Sequence, residues 1–306
     1  MRPGPVTILD GGTGRELLRI GAPFRQPEWS ALALIEAPAF VTRVHRAFLE
    51  AGAEVVTTNS YALVPFHIGD ARFAAEGHAL AALAGRLARE AADAAPGRRR
   101  VAGSLPPVCG SYRPDLFDAA IARPVLETLV DGLGASVDHW QAETLSSIAE
   151  AALVREVLGN DRRPLWLSFT LHDERPAPGD PRLRSGETVS EAVRSAAELG
   201  ATAVLFNCSQ PEAMADAVAA ARTAGRLPVG VYANTFEPMG ADTEANDALH
   251  GLRGELTPAA YVAFARDWVG RGATLVGGCC GIGPEHIRAL AAAFADAAPI
   301  PAGRTG

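Results

Sequence analysis

Eight short apolar runs, each followed by an Ala- and Leu-rich segment of helical period, constrain this chain more than any other feature of its sequence. The runs that read as buried strands are Val6–Asp10, Glu54–Asn59, Val101–Leu105, Val137–Thr144, Leu165–Leu171, Ala203–Cys208, Val229–Thr235 and Thr274–Gly278. The helical segments are 38–51, 71–94, 124–135, 146–158, 188–199, 211–224, 258–270 and 284–297. Regular strand-then-helix alternation implies a parallel sheet, and eight such units close it. The expected fold is α/β, a single (β/α)8 TIM barrel over residues 1–298, with 299–306 as a flexible tail. Asp138, His139 and Gln141 dilute the strand pattern of the fourth run.

Punctuation supports the same reading. Pro124, Pro211, Pro258 and Pro284 fall where a first helical residue would sit, a position at which a missing N–H costs nothing. Gly52, Gly200 and Gly272 each lie just past a helix and a few residues before a strand. Helix-to-strand connections are therefore short. The strand-to-helix connections 60–70, 106–118, 172–187 and 236–257 are long, which places elaboration, and with it chemistry, at the C-terminal ends of the strands.

Composition removes several function classes. The chain has no lysine, so Schiff-base, pyridoxal-phosphate and phosphate-loop lysine chemistry is excluded. With 28 basic against 35 acidic residues the net charge is −7, which argues against nucleic acid as a partner. The one basic run, Arg98-Arg99-Arg100, reads as a solvated turn. No apolar stretch reaches the roughly 18 to 20 residues that a membrane span needs, and the N-terminus lacks a signal pattern. Four cysteines in 306 residues do not make a disulfide framework, so a cytoplasmic location is expected. Whether the chain forms a homo-oligomer is left open.

Three of those cysteines stand at strand ends on the elaborated side. Cys208 closes the sixth run, and Cys279 and Cys280 follow the eighth in Gly277-Gly278-Cys279-Cys280-Gly281. Strands six and eight of a closed sheet lie about 10 Å apart, so side chains leaning inward can meet. Buried small hydrophobes are the plain alternative. Adjacent thiols share one target only if the backbone curls, which Gly277, Gly278 and Gly281 permit. A disulfide between neighbours is disfavoured, because adjacent Cα atoms are only about 3.8 Å apart. Soft thiolates at tetrahedral reach select Zn2+, and three protein ligands leave a fourth position for a substrate.

These residues resemble those of the homocysteine S-methyltransferase family. The likeness runs through Leu9-Asp10-Gly11-Gly12, Thr58-Asn59-Ser60-Tyr61, Gly103-Ser104-Leu105-Pro106, Glu143-Thr144, Ser168-Phe169-Thr170, Asn207-Cys208 and Gly277-Gly278-Cys279-Cys280-Gly281. It implies a zinc-dependent enzyme that moves a methyl group from a small donor to the thiol of L-homocysteine, giving methionine. The barrel would then be a homocysteine-binding domain. The resemblance further implies Cys208, Cys279 and Cys280 as zinc ligands, and Asp10 and Glu143 as the carboxylates that hold the substrate's amino group. S-methylmethionine or S-adenosylmethionine is expected ahead of betaine or methylfolate, since a chain filled by one barrel leaves no corrinoid module. A related thiol or selenol acceptor stays open.

Physics sets what such a site must supply. A free thiol of pKa about 8.5 is mostly protonated at neutral pH, and full ionisation is worth about 2 kcal/mol. Holding acceptor and donor in line can contribute more, up to roughly 7–11 kcal/mol. Backbone amides near Gly11, Gly12 and Ser60 could receive the substrate carboxylate, and Asn234 could hydrogen-bond substrate or shape a turn. Asp10 could equally bond the amides that follow it. The Asp10-to-Gly14 stretch and the eighth turn could also be phosphate cradles, but the cysteines count against that. Tyr61, Phe66, Tyr112 and Phe236 on mouth loops could face a cationic donor or pack a lid. His139 and His172 lack metal-type spacing and read as satisfied polar groups, and Cys109 reads as incidental. Two rival classes are a barrel lyase or aldolase, which would want hard ligands and a base, and a non-enzymatic zinc or redox-sensing protein.

Overall fold

A computed structural model of the chain describes residues 5–173, 179–237 and 251–295. Eight strands, β1 (Thr7–Ile8), β2 (Val55–Thr57), β3 (Arg100–Leu105), β4 (His139–Leu145), β5 (Leu165–Phe169), β6 (Ala203–Asn207), β7 (Val229–Tyr232) and β8 (Leu275–Val276), form one sheet. Every pairing in it is parallel, β1 lies beside β8, and a parallel bridge from Leu9 to Val55 joins β1 to β2. The sheet thus closes into a (β/α)8 barrel.

Outside it run α3 (Pro38–Glu50), α5 (Asp70–Ala94), α6 (Ala119–Leu133), α7 (Ile148–Leu158), α8 (Val189–Glu198), α9 (Pro211–Ala224), α10 (Pro258–Gly270) and α11 (Pro284–Phe294). Three short helices were not expected: α1 (Thr13–Arg19) and α2 (Ser30–Glu36) between β1 and α3, and α4 (Pro65–Ile68). At four to seven residues they are too brief to show a helical period. Pro211, Pro258 and Pro284 open their helices, but Pro124 does not. Asp118 caps α6 by accepting the Ala120 N–H, so that helix starts earlier and Pro124 sits inside it. Gly52, Gly200 and Gly272 have φ of 111°, 75° and 113°, the left-handed helix exits that glycine takes most easily. The tail at 299–306 lies outside the described residues.

Apolar burial falls in two layers. Phe48, Trp140, Tyr261 and Trp268 are fully buried between sheet and helices. Leu9, Val55, Ala102, Trp166, Ala203, Leu205, Tyr232 and Leu275 form a second cluster inside the barrel, so the lumen is a packed core rather than a pore. The strand with the most diluted apolar pattern is the longest and is wholly buried. Its polar residues are the reason: Gln141 donates to the Tyr232 hydroxyl across the lumen at 3.2 Å, and His139 packs on Trp166 with centroids 4.0 Å apart. His139 is not hydrogen-bonded as expected. Neither ring nitrogen has a partner among the described residues, and burial, with Arg100 nearby, lowers its pKa to about 3. Arg100 is not solvated turn either; it opens β3 and lays its guanidinium 5.2 Å from the Trp166 ring centre. His172 is exposed, and the half-buried Cys109 points its thiol at the Asp118 carbonyl.

Candidate active site

A pocket opens at the C-terminal mouth of the barrel, and the three expected cysteines share one of its walls. The sulfur atoms of Cys208, Cys279 and Cys280 all lie within 4.8 Å of one another. Cys208 reaches this point because the chain turns at its own backbone, with φ 51°. Beyond β8 the chain leaves the sheet and turns, the Ile282 N–H donating to the Cys279 carbonyl. The turn is held from three sides: Cys279 N–H donates to Ala233, Cys280 accepts from Thr235, and the Tyr261 hydroxyl donates to Gly277 at 2.8 Å.

The two glycine-rich motifs form one piece. Gly12 N–H donates to Ile282 and Gly278 N–H to Asp10. A Cβ on Gly12 would lie 2.4 Å from the Cys279 carbonyl oxygen, and one on Gly278 2.1 Å from the Ile282 side chain. Gly277 and Gly278 therefore serve close approach rather than a left-handed curl. The Gly12 and Gly278 amides are thus engaged within the fold.

Crowding three thiols sets them against one another. Cys280 receives hydrogen bonds from Cys208 and Cys279, and with the Arg15 guanidinium adding to them its pKa falls well below the ordinary thiol range. Cys279 is pushed well up by the bonds it makes to Cys208 and Cys280 and by burial. At Cys208 the bond from Cys279 pulls downward, but its bond to Cys280 and burial prevail and raise it to about 12. One thiolate is favoured and three are not, unless a cation shares the site. Three soft donors at this spacing fit zinc, with room for a further ligand.

Opposite stand two buried carboxylates. Asp10 accepts the Thr57 N–H at 2.7 Å and the Thr57 hydroxyl at 3.0 Å, so it bonds the neighbouring strand end rather than the amides after it. Glu143 accepts from the Ser104 hydroxyl at 2.5 Å and from the Tyr232 hydroxyl at 3.3 Å. Burial raises both pKa values to about 7, with the Glu143 carboxylate adding to the rise at Asp10 and the nearby Cys208 thiol adding to that at Glu143. Such a pair is well suited to an ammonium group, which would restore both charges.

Other expected site residues are placed differently. Gly11 lines the pocket, but Ser60 and Asn234 are not in its wall. Ser60 donates its N–H to Thr58 and its hydroxyl to the Ser104 carbonyl at 2.9 Å, and Asn234 accepts the Phe236 N–H across a turn. The Ser60 and Gly12 amides both donate to backbone carbonyls. Tyr61, Tyr112 and Phe236 do line the pocket, and Trp29 and His67 join them; Phe66 is 38% exposed and stands outside. Tyr232, Thr57 and Ser104 were overlooked because each reads as an ordinary strand residue. Their sequence signal was position at a strand's C-terminal end and, for Ser104, membership of the Gly103-Ser104-Leu105-Pro106 motif.

Backbone strain gathers at the same place. Trp29, Tyr112, Thr144 and Cys208, with φ of 50°, 67°, 59° and 51°, are the non-glycine residues with positive φ among those described, and all line the pocket. Each such conformation costs of order 1–3 kcal/mol, a strain that typically clusters where function requires a fixed geometry.

Comparison with known proteins agrees with this arrangement. The family model described as homocysteine S-methyltransferase matches residues 7–294. Homocysteine S-methyltransferase 1 of Brassica oleracea var. italica is 30% identical over 319 residues, covering 94% of this chain and 93% of that protein. The selenocysteine methyltransferase of Astragalus bisulcatus is 27% identical, covering 94% and 92%. The crystal structure of the metallated form of the Escherichia coli homocysteine methyltransferase MmuM superposes with a TM-score of 0.74 at 29% identity, covering 94% of this chain and 96% of that one. With a family match from the first strand to the last helix, around a pocket of three thiols and two carboxylates, the chain belongs to the homocysteine S-methyltransferase family of methyltransferase enzymes.

Proposed function

We propose that this enzyme methylates the thiol of L-homocysteine to give methionine, with Zn2+ held by Cys208, Cys279 and Cys280 and a small onium compound as donor. The observation that carries the reading is the pairing, in one pocket, of three sulfurs within 4.8 Å with two buried carboxylates that accept hydrogen bonds from neutral donors, Thr57, Ser104 and Tyr232. An amino acid bearing both an ammonium and a thiol matches both halves. When bound, zinc would ionise the acceptor thiol at neutral pH, the modest term worth about 2 kcal/mol. Asp10 and Glu143 hold the ammonium and so fix where the acceptor sulfur lies. That sulfur attacks the donor's methyl carbon, and the breaking bond's electron pair returns to the donor heteroatom, leaving it neutral.

The donor side is aromatic. Tyr61, Tyr112, Trp29 and Phe236 line the pocket. Arg184 and Arg15 already lie 5.1 Å from the Tyr112 and Phe236 ring centres, so it is the Tyr61 and Trp29 rings that support S-methylmethionine or S-adenosylmethionine over an uncharged donor. A selenol acceptor is the second reading, favoured by the similarity to a protein named selenocysteine methyltransferase. Free thiols in a site of this kind need a reducing compartment such as the cytoplasm. The test is a panel of donors against homocysteine and selenocysteine, with metal analysis of the same preparation. Methionine formation that follows zinc content supports the proposal. Full turnover in protein stripped of metal would exclude it.

A further inference from the structure

Strand β4 does not leave the barrel regularly. Ala142 pairs with Leu167 and Leu145 with Phe169, so three steps along β4 run beside two along β5. Successive strand residues normally face opposite sides. Here Glu143 and Thr144 both line the pocket. The backbone that permits this is at Thr144, a β-branched residue with φ 59°, where glycine would be the residue of least strain.

What holds it there comes from β6. The Thr144 N–H donates to Asn207 Oδ1 at 2.9 Å, and Asn207 Nδ2 donates to Thr144 Oγ1 at 2.8 Å. Ser168 Oγ donates to the same Oδ1 at 2.7 Å. All three residues are buried. A backbone N–H can only donate, so the orientation of the Asn207 amide is determined. A side chain that accepts twice on one atom and donates from the next is an amide; a carboxylate of the same shape could only accept. Asn207 directly precedes Cys208, whose backbone is also left-handed.

We infer that Asn207 is a positioning residue: its side-chain amide holds Thr144 in the bulged conformation that presents Glu143 to the substrate's ammonium, and ties that carboxylate to the neighbouring thiol of Cys208. The role in substrate binding rests on the homocysteine reading above. The clamp itself rests on the geometry alone.

The experiment measures equilibrium binding of L-homocysteine to zinc-loaded protein by calorimetry, together with zinc content and crystal structures of the variants. Asn207→Ala should weaken homocysteine binding about tenfold or more while zinc content stays as in the wild type, and Thr144 should leave positive φ. Adding Thr144→Gly to Asn207→Ala should bring affinity back to within about threefold of wild type, because glycine needs no clamp. A merely structural asparagine would not be rescued at a residue it touches on another strand. Unchanged affinity in Asn207→Ala, or no rescue by glycine, overturns the inference. Should Asn207→Ala not fold, Thr144→Val removes one leg of the clamp: binding weaker by about threefold supports it, and unchanged binding overturns it. If wild-type protein binds no homocysteine, the proposed function fails, and the clamp is decided by the φ of Thr144 in the variant crystals.

Discussion

Burying two carboxylates in one pocket makes the folded protein hold protons that an unfolded chain would release. Asp10 and Glu143 have ordinary values of 3.8 and 4.5, raised to about 7 in the folded protein. Between about pH 4 and 7 the folded state therefore binds more protons, so its stability falls as pH rises through that window. A bound ammonium requires both groups ionised. The affinity for L-methionine, which shares the ammonium but has no thiol proton, should thus fall as pH drops below 7, with a slope approaching two protons. Calorimetry across pH checks this, and Glu143→Gln should reduce the slope to one. The same substitution should weaken homocysteine binding roughly 10- to 100-fold, the value of a hydrogen bond to a charged partner. If zinc sits where proposed, Cys208→Ala should lose it, read by metal analysis; one zinc per chain in that variant would remove Cys208 from the proposed ligand set. The cysteines and the two acids could be read from the sequence because their side chains carry chemistry wherever they stand at a strand end. Tyr232 could not, and Asn207 was visible only as part of the Asn207-Cys208 motif, without a role. Each acts through a partner on another strand, Glu143 and Thr144, and that pairing depends on barrel register rather than on local pattern.

Elements differ in how much of themselves their residues disclose. The barrel helices were legible because long apolar stripes and terminal prolines mark them. The three short ones, α1, α2 and α4, carry too few residues for a period, and α6 showed that a capping aspartate can outrank a proline as a start signal. The turn after β8 belongs to the same scale, since it depends on a glycine in another connection. Gly12→Ala would drive a methyl group into the Cys279 carbonyl, so the turn must shift. The expected cost is about 1–3 kcal/mol of stability, with a parallel loss of zinc affinity. Denaturant titration of metal-free protein separates the two effects. If Gly12→Ala matches wild type in both, the interlocking described here is not rigid.

A ligand that binds only the folded barrel stabilises all of it. With zinc a thousandfold above its dissociation constant the gain is about 4 kcal/mol, so chelation should lower the melting temperature by about 6 °C. Scanning calorimetry with and without chelator measures this, and no shift would mean that the metal does not bind the native state. The eightfold alternation made the barrel legible at the scale of the whole molecule. It did not reveal that β1 and β8 bring Gly12 against the Cys279–Cys280 turn. That seam has a consequence during synthesis. A nascent chain emerging from the ribosome offers Asp10 first, Glu143 midway, Cys208 later and residues 277–282 near the last. The third sulfur, Cys280, arrives only with the final βα unit, so the proposed zinc site is completed near the end of synthesis, and proteolysis that removes that unit would undo it.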